Sequence, residues 1–399
     1  MRPLYLDHTA TTPLDPRVAA AMEPYFGGMF GNPSSVHSFG REARAGLEQA
    51  RGAIAAAIGA RPGEIIFTSG GTESDNLAIA GAARAARKSG RTGVLTAQAE
   101  HHAVLDPATR LTAEGFEVSV LPVDGNGLVS PRQVEGAITD RTCLLSIMHG
   151  NNEVGSISPV REIAALARSR GVLIHTDAVQ TVGKIPLDVD ELGVDLLTLS
   201  AHKLYGPKGI GVLYVRRGVE LDPLLFGGGQ ERGTRPGTES VPLAVGLARA
   251  VELAVEGMRE ESQRLAALRD ALQEALVRRF PALLINGHPV DRLPHVLSVS
   301  FDSRKLAMEG EMLVMNMDLN GIAVSSGSAC TSGSIRPSHV LLAMGRDEAT
   351  AKATVRFSFG RSNTEDDIPV VLEVLSASVA QMTSGGEGED QISKIEDQK

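Results

Sequence analysis

Between about residues 50 and 215, short β-rich runs alternate with helical stretches: "EIIFTS" precedes "TESDNLAIAGAARAAR", then come "FEVSVLPV", "CLLSIM" before "VREIAALARSR", "GVLIHTD", "DLLTLS" and "GIGVLYV". Parallel neighbours need a crossover, usually a helix, so this alternation predicts an α/β fold with a large, mainly parallel sheet covered by helices on both faces. Ligands in such sheets gather at strand ends, which makes the residues just past each terminus the first candidates for chemistry. A long amphipathic stretch, 242–280, is expected to lead into a second, smaller α+β domain holding "HVLSVSF" and "ATVRFSFG".

With 399 residues, 42% of them hydrophobic, the chain is long enough for two domains with a sizeable core. The expected division is a large domain over 15–258 and a small domain of 1–14 plus 259–383. An acidic, Gly-rich, mobile tail is expected over 384–399. Lys plus Arg number 39 against 48 Asp plus Glu, a net charge of −9, and no basic run stands out, which argues against direct nucleic-acid binding. No apolar core of a signal peptide is visible near the first residue, and no apolar stretch reaches the roughly 18 residues of a membrane span, so a soluble, cytoplasmic protein is expected. Cys143 and Cys330 are the only cysteines, and neither CxxC nor HExxH spacing occurs. No metal site is expected, and a cysteine that matters here matters as a thiol.

The segment "SAHKLYGPKGIG" (200–211) follows "DLLTLS", so Ser200, His202 and Lys203 fall just past a buried strand. No GxxxxGK[ST] string exists, and the glycines of "GPKGIG" are in the wrong register for a dinucleotide fingerprint. Lys203 is then either a solvated turn lysine or a partly desolvated amine able to condense with an aldehyde, as pyridoxal phosphate requires. That cofactor makes further demands. A carboxylate must keep its ring nitrogen protonated; Asp177, ending "GVLIHTD", is available, or else caps the next helix. Its phosphate needs N–H groups at a helix start plus hydroxyls. "FTSGGTESDN" (67–76) offers the Gly70–Gly71 turn and Thr72, although Thr72 with Asp75 also reads as a capping pair. The ring needs a flat partner, for which His101 in "AEHHAVLD" is a candidate; the other reading of His101 is a surface or core histidine. Alternation in "TVRFSFG" puts Val355, Phe357 and Phe359 on one face and Arg356 with Ser358 on the other. Arg356 either faces solvent or clamps a substrate carboxylate. Cys330, in "SSGSACTSGS" (325–334), sits among small and polar residues, the setting of a thiol on a flexible loop. Cys143 lies inside an apolar strand and reads as core.

Together "LDHTATTPLDP", "GNPSSVH", "FTSGGTESDN", "EHHAVL", "NNEVG", "HTDAVQ", "SAHKLYGPKGIG", "GGGQERGTRPGT", "SSGSACTSGS" and "TVRFSFGR" resemble the cysteine desulfurases of the iron–sulfur-cluster type, over residues 4 to about 370. These belong to the class V branch of fold-type I pyridoxal 5'-phosphate enzymes. The resemblance implies a seven-stranded-type sheet in the large domain and a homodimer. It makes Lys203 the residue that carries the cofactor, Asp177 the pyridinium partner, Gln180 the donor to the ring oxygen and His101 the stacking residue. Gly71, Thr72, Ser200 and His202 would hold the phosphate, joined by Thr238 from the second subunit. Asn152, also near the cofactor, would position L-cysteine together with Asn32 and Arg356. Cys330 would take the sulfur as a persulfide, helped by Lys203 and His101 as proton carriers, before passing it to an acceptor such as an iron–sulfur scaffold or a tRNA-thiolation relay. Two departures stand out: the acidic tail aligns with nothing in the family, and Gly150 replaces a larger apolar residue. Selenocysteine lyase, another class V aminotransferase reaction and a non-catalytic sulfur-relay scaffold subunit are the rival readings; retention of both Lys203 and Asp177 argues against the last.

Overall fold

The computed structural model describes residues 3–306, 308, 310–326 and 337–396, the side chains of 311 and 383–396 excepted. Its strands are β1 (Leu4–Tyr5), β2 (Ile65–Thr68), β3 (Gly93–Ala97), β4 (Glu117–Leu121), β5 (Thr142–Ser146), β6 (Leu173–Asp177), β7 (Leu196–Ser200), β8 (Gly211–Val215), β9 (Leu283–Asn286), β10 (Val296–Phe301), β11 (Ile322–Ala323) and β12 (Thr354–Ser358). Seven of them form one sheet in the order β2-β8-β7-β6-β5-β3-β4. Only β8 runs against its neighbours, pairing antiparallel with both β2 and β7.

Strands covered on both faces are mostly apolar, and β5 and β7 are buried at every position, with hydroxyl residues as their only polar side chains. Alternate residues serve opposite layers: Leu197, Leu199, Val212 and Tyr214 enter one core, while Leu196 and Leu213 enter the other. The outer strand β4 keeps Glu117 and Ser119 exposed, as suits a sheet edge.

A second core lies around the antiparallel sheet β12-β10-β9. Leu265, Leu268, Leu272 and Leu276 recur at helical spacing on Met258–Arg279 and pack against Val299, Phe301, Val355 and Phe357. Leu6 joins this core, and β1 pairs with β11, so the first residues fold with the later half of the chain. The stretch expected as one helix over 242–280 divides into Val241–Glu256 and Met258–Arg279 at Gly257, whose conformation leaves the helical region. The last helix, Asp367–Glu396, carries its backbone across the expected start of the tail at 384. Among the described residues no helix is long and apolar enough to cross a membrane.

Candidate functional site

Strands β2, β3, β5, β6 and β7 all point the same way, so their carboxyl ends share one edge of the sheet. The chain leaves that edge at Ser69–Gly71, at Ala99–His101, at Met148–Asn152, at Asp177 and at Ser200–Lys203, and these departures enclose a cavity of about 330 Å³. Gly71 opens a run of helix that continues to Ala86. A Cβ at Gly71 would lie 3.1 Å from Val179 Cγ2, so the absent side chain lets the turn close onto the sheet. Thr72, Ser200 and His202 line the same end of the cavity as Gly71 and also border the groove outside it.

Lys203 ends a single 3-10 turn after β7. Its amine donates to the carbonyl of Ala10 at 2.7 Å and to that of Thr9. Gln180, on the same wall, donates to the Thr9 carbonyl as well, at 3.1 Å. His101 caps the helix His102–Leu111, its Nδ1 accepting from the Ala103 N–H at 3.0 Å. Burial, followed by the charge of Lys203, pulls its pKa down to about 4. The imidazole is therefore neutral, and with Nδ1 accepting, its proton sits on Nε2.

Asp177 is buried, and burial pushes its carboxyl up to about 6, against the Val179 N–H bond at 2.8 Å and the charge of Lys203, which both hold it down. Asp75 lies behind it, with burial and then the Asp177 charge raising its pKa far above the usual range. Its Oδ1 has no hydrogen-bond partner among the described residues and sits 3.5 Å from Nε2 of the buried His175. Glu100, equally buried, accepts from the Met148 N–H at 2.6 Å. Asp75 lines the cavity, with His175 behind it in the sheet, although the sequence offered only a capping role for one and none for the other.

Arg356 projects from β12 into the opposite wall and is 3% exposed. Its Nη2 pairs with Asp7 Oδ1 at 2.8 Å and its Nη1 donates to the Asn152 carbonyl at 3.0 Å, while Nε has no partner among the described residues. The reading that Arg356 faces solvent is thereby excluded, and Val355, Phe357 and Phe359 fill the second core as the alternation predicts.

Cys330 lies outside the described residues. The chain on either side is tied close to the cavity: Ser325 exchanges backbone hydrogen bonds with the lining residue Arg356, and Ser338 Oγ donates to Glu153, which follows the lining residue Asn152. Cys330 is the fifth residue after Ser325, a reach of up to roughly 17 Å. Cys143, by contrast, is core, its Sγ donating to the Gly93 carbonyl and its pKa pushed by burial to about 11. Two expected residues are not brought to the cavity: Asn32 is exposed and accepts from the Ser34 N–H, and Thr238 is exposed on the segment after Arg235. The sequence missed Thr9 and Ala10, which act through backbone carbonyls, and Asp7, the partner of Arg356.

The donor set fits pyridoxal phosphate. A buried carboxylate, Asp177, stands at the sheet; hydroxyls and N–H groups gather at Gly71–Thr72 and Ser200; an amine, Lys203, and a neutral imidazole, His101, face the same 330 Å³ space.

The aminotransferase class-V family profile matches residues 4–371. The cysteine desulfurase IscS of Dictyoglomus turgidum is 47% identical over 381 residues, covering 96% of this chain and 95% of its own. The cysteine desulfurase of Mus musculus is 47% identical over 376 residues, covering 94% of this chain and 80% of its own. Among solved structures, a NifS-like protein superposes with a TM-score of 0.88 at 38% identity, over 95% of this chain and 99% of that one. The structure titled "SspA in complex with cysteine" does so with 0.78 at 38% identity, over 89% and 98%.

Proposed function

The chain belongs to the aminotransferase class-V family, and from that premise we propose that it is a cysteine desulfurase dependent on pyridoxal phosphate. The reaction is enzyme–SH plus L-cysteine giving enzyme–S–SH plus L-alanine, with Cys330 as the thiol. One observation carries the reading: Lys203, Asp177, His101 and Arg356 converge on one cavity, and the chain before Cys330 is bonded to Arg356 of its wall while the chain after it is bonded to Glu153, next to the lining residue Asn152.

When bound, the cofactor supplies an aldehyde for an amine and a protonated ring that draws electrons from the substrate's α-carbon. Asp177 would hold its ring nitrogen, Gln180 its ring oxygen, and Gly71, Thr72, Ser200 and His202 its phosphate. His101 would cover the ring. Arg356 offers to the substrate carboxylate an Nε–H that no described residue accepts, and its bonds to Asp7 and Asn152 fix the fork in place. Lys203, with its amine on flexible methylenes beside the Thr9 and Ala10 carbonyls, is the group placed to take and return a proton, and His101 offers a second proton at Nε2. The thiolate of Cys330 forms the new S–S bond, the substrate C–S bond breaks, its electron pair stays on carbon, and a proton from the pocket completes alanine.

Exposed Phe26, Phe30, Val36 and Phe226 favour a homodimer, in which Thr238 would serve the partner's phosphate site and Asn32 would close on substrate. A cytoplasmic enzyme passing sulfur to an acceptor protein fits the same reading. The test is alanine formation from L-cysteine by the cofactor-loaded protein, beside Cys330→Ala. Alanine from the native protein alone supports the reading; alanine at equal rates from both removes the persulfide step, and none from either removes the activity.

A further inference from the structure

A second cavity, of about 620 Å³, opens on the other side of the segments that build the first. One wall is Gly183–Lys184, Leu204–Tyr205 and Arg361; the facing wall is the junction of the two long helices, from Leu253 to Glu261. Lys184 is 9% exposed, with its Nζ 5.5 Å from the centre of the Tyr205 ring. Among the described residues it makes no ion pair and its amine no hydrogen bond, although every arginine of the cavity is engaged. Arg264 pairs with Glu261 and donates to the carbonyls of Gly360 and Asn363; Arg361 pairs with Asp15 and lies 4.2 Å over Tyr205; Arg17 also pairs with Asp15.

An ammonium has three donors and no acceptor capacity, and holding one on a side chain that is mostly buried, with its amine open only to the cavity, is costly without a partner. Burial pulls its pKa to about 8, with the Arg361 charge adding and the Glu261 charge opposing, so near neutrality most of it is a cation with no ion pair among the described residues, facing the cavity. The missing element is an acceptor of negative charge. Across the cavity stand Glu256 and Glu260, which make no ion pair among the described residues.

We propose that this cavity is a second binding site, for a small carboxylate seated on Lys184. The facing glutamates extend the fit to an amino acid, carboxylate on Lys184 and ammonium on Glu256 or Glu260. Occupancy would be felt in the first cavity, because the same short segments serve both: Gln180 leads to Lys184, Lys203 to Tyr205, and Arg356 to Arg361.

The test is trace acetylation of the holoenzyme with acetic anhydride at pH 8, read peptide by peptide against the other lysines, with propionate or L-alanine as probe. Lys184 is then about half neutral, and a bound carboxylate that raises its pKa by about one unit leaves about one in eleven neutral, roughly fivefold protection. Protection by both probes assigns a simple carboxylate. Protection by alanine alone assigns an amino acid held through the glutamates, and Glu256→Gln with Glu260→Gln should then abolish it. Unchanged labelling with both probes at about 10 mM overturns the proposal, as does a Lys184 that never labels, since no ligand would reach it. As a check, the heat of propionate binding should vanish in Lys184→Met with cofactor content unchanged. The protection is read at one lysine, so it stands or falls independently of sulfur release.

Discussion

Glu153 is 6% exposed, and its carboxyl accepts a hydrogen bond from Ser338, where the Cys330 segment rejoins the described chain. Burial pushes its pKa up to about 7 from 4.5, against the Ser338 bond and the Arg356 charge. A raised carboxyl binds its proton more tightly in the folded state, so its contribution to stability is fully present below about pH 4.5. It is lost as pH rises to about 7, a swing of about 3 kcal/mol. Glu153→Gln keeps an acceptor for Ser338 and removes the titration. The fall in thermal midpoint between pH 5 and 8 should be visibly flatter in that variant, and parallel midpoint curves would show that Glu153 does not titrate there. Residues like Lys203, Asp177 and Arg356 could be read from the sequence because each side chain sits at the end or on one face of a strand whose pattern is plain. Thr9 and Ala10 could not, since they act through carbonyls that every residue has. Asp75 was ambiguous for another reason: at a helix start a carboxylate reads as a cap, and only burial against Asp177 gives it a different role.

At the scale of elements, β8 matters more than its short length suggests. Its first residue, Gly211, lies against the turn after β2, where an added Cβ would stand 2.6 Å from the carbonyl carbon of Gly70. Backbone cannot yield as a side-chain tip does, so Gly211→Ala must push the turn that delivers Gly71 and Thr72. A cost of about 1–3 kcal/mol in stability is expected, together with at least a tenfold faster loss of pyridoxal phosphate on dialysis. Retention equal to native would show that the turn does not hold the cofactor. The glycines of "GPKGIG" read in sequence only as a turn, because close approach between two distant backbones leaves no local pattern. β3 is silent for a different reason: "GVLTA" is a five-residue, mostly apolar run without alternation, a length at which strand and buried helix look alike. The longer βα alternation was plain, and it fixed the parallel sheet and its functional edge. The reversal of β8 was hidden, since direction depends on the connection and not on the strand's own residues.

For the whole molecule, residues 6–15 tie the two cores together around the cavity. Leu6 is buried in the second core, the carbonyls of Thr9 and Ala10 hold Lys203, Thr12 bonds His202, and Asp15 pairs with Arg361. Asp7 is the point where this strap meets the Arg356 wall of the cavity, in a pair that is 4% exposed on the arginine. Removing one partner of a buried pair leaves the other charge unsatisfied, which commonly costs about 3–5 kcal/mol. Asp7 is itself 18% exposed, so water can partly replace it, and about 2–3 kcal/mol is expected for Asp7→Ala. The kinetic effect should be larger than this loss implies if the strap positions Arg356, because a freed guanidinium no longer meets the substrate carboxylate in one geometry. With cofactor content unchanged, KM for L-cysteine should then rise about tenfold or more, and Asp7→Asn, which keeps an oxygen acceptor, should recover part of it. A variant that lost stability while keeping its KM would reduce the strap to a fastening between cores, with Arg356 positioned by Asn152 and β12 alone.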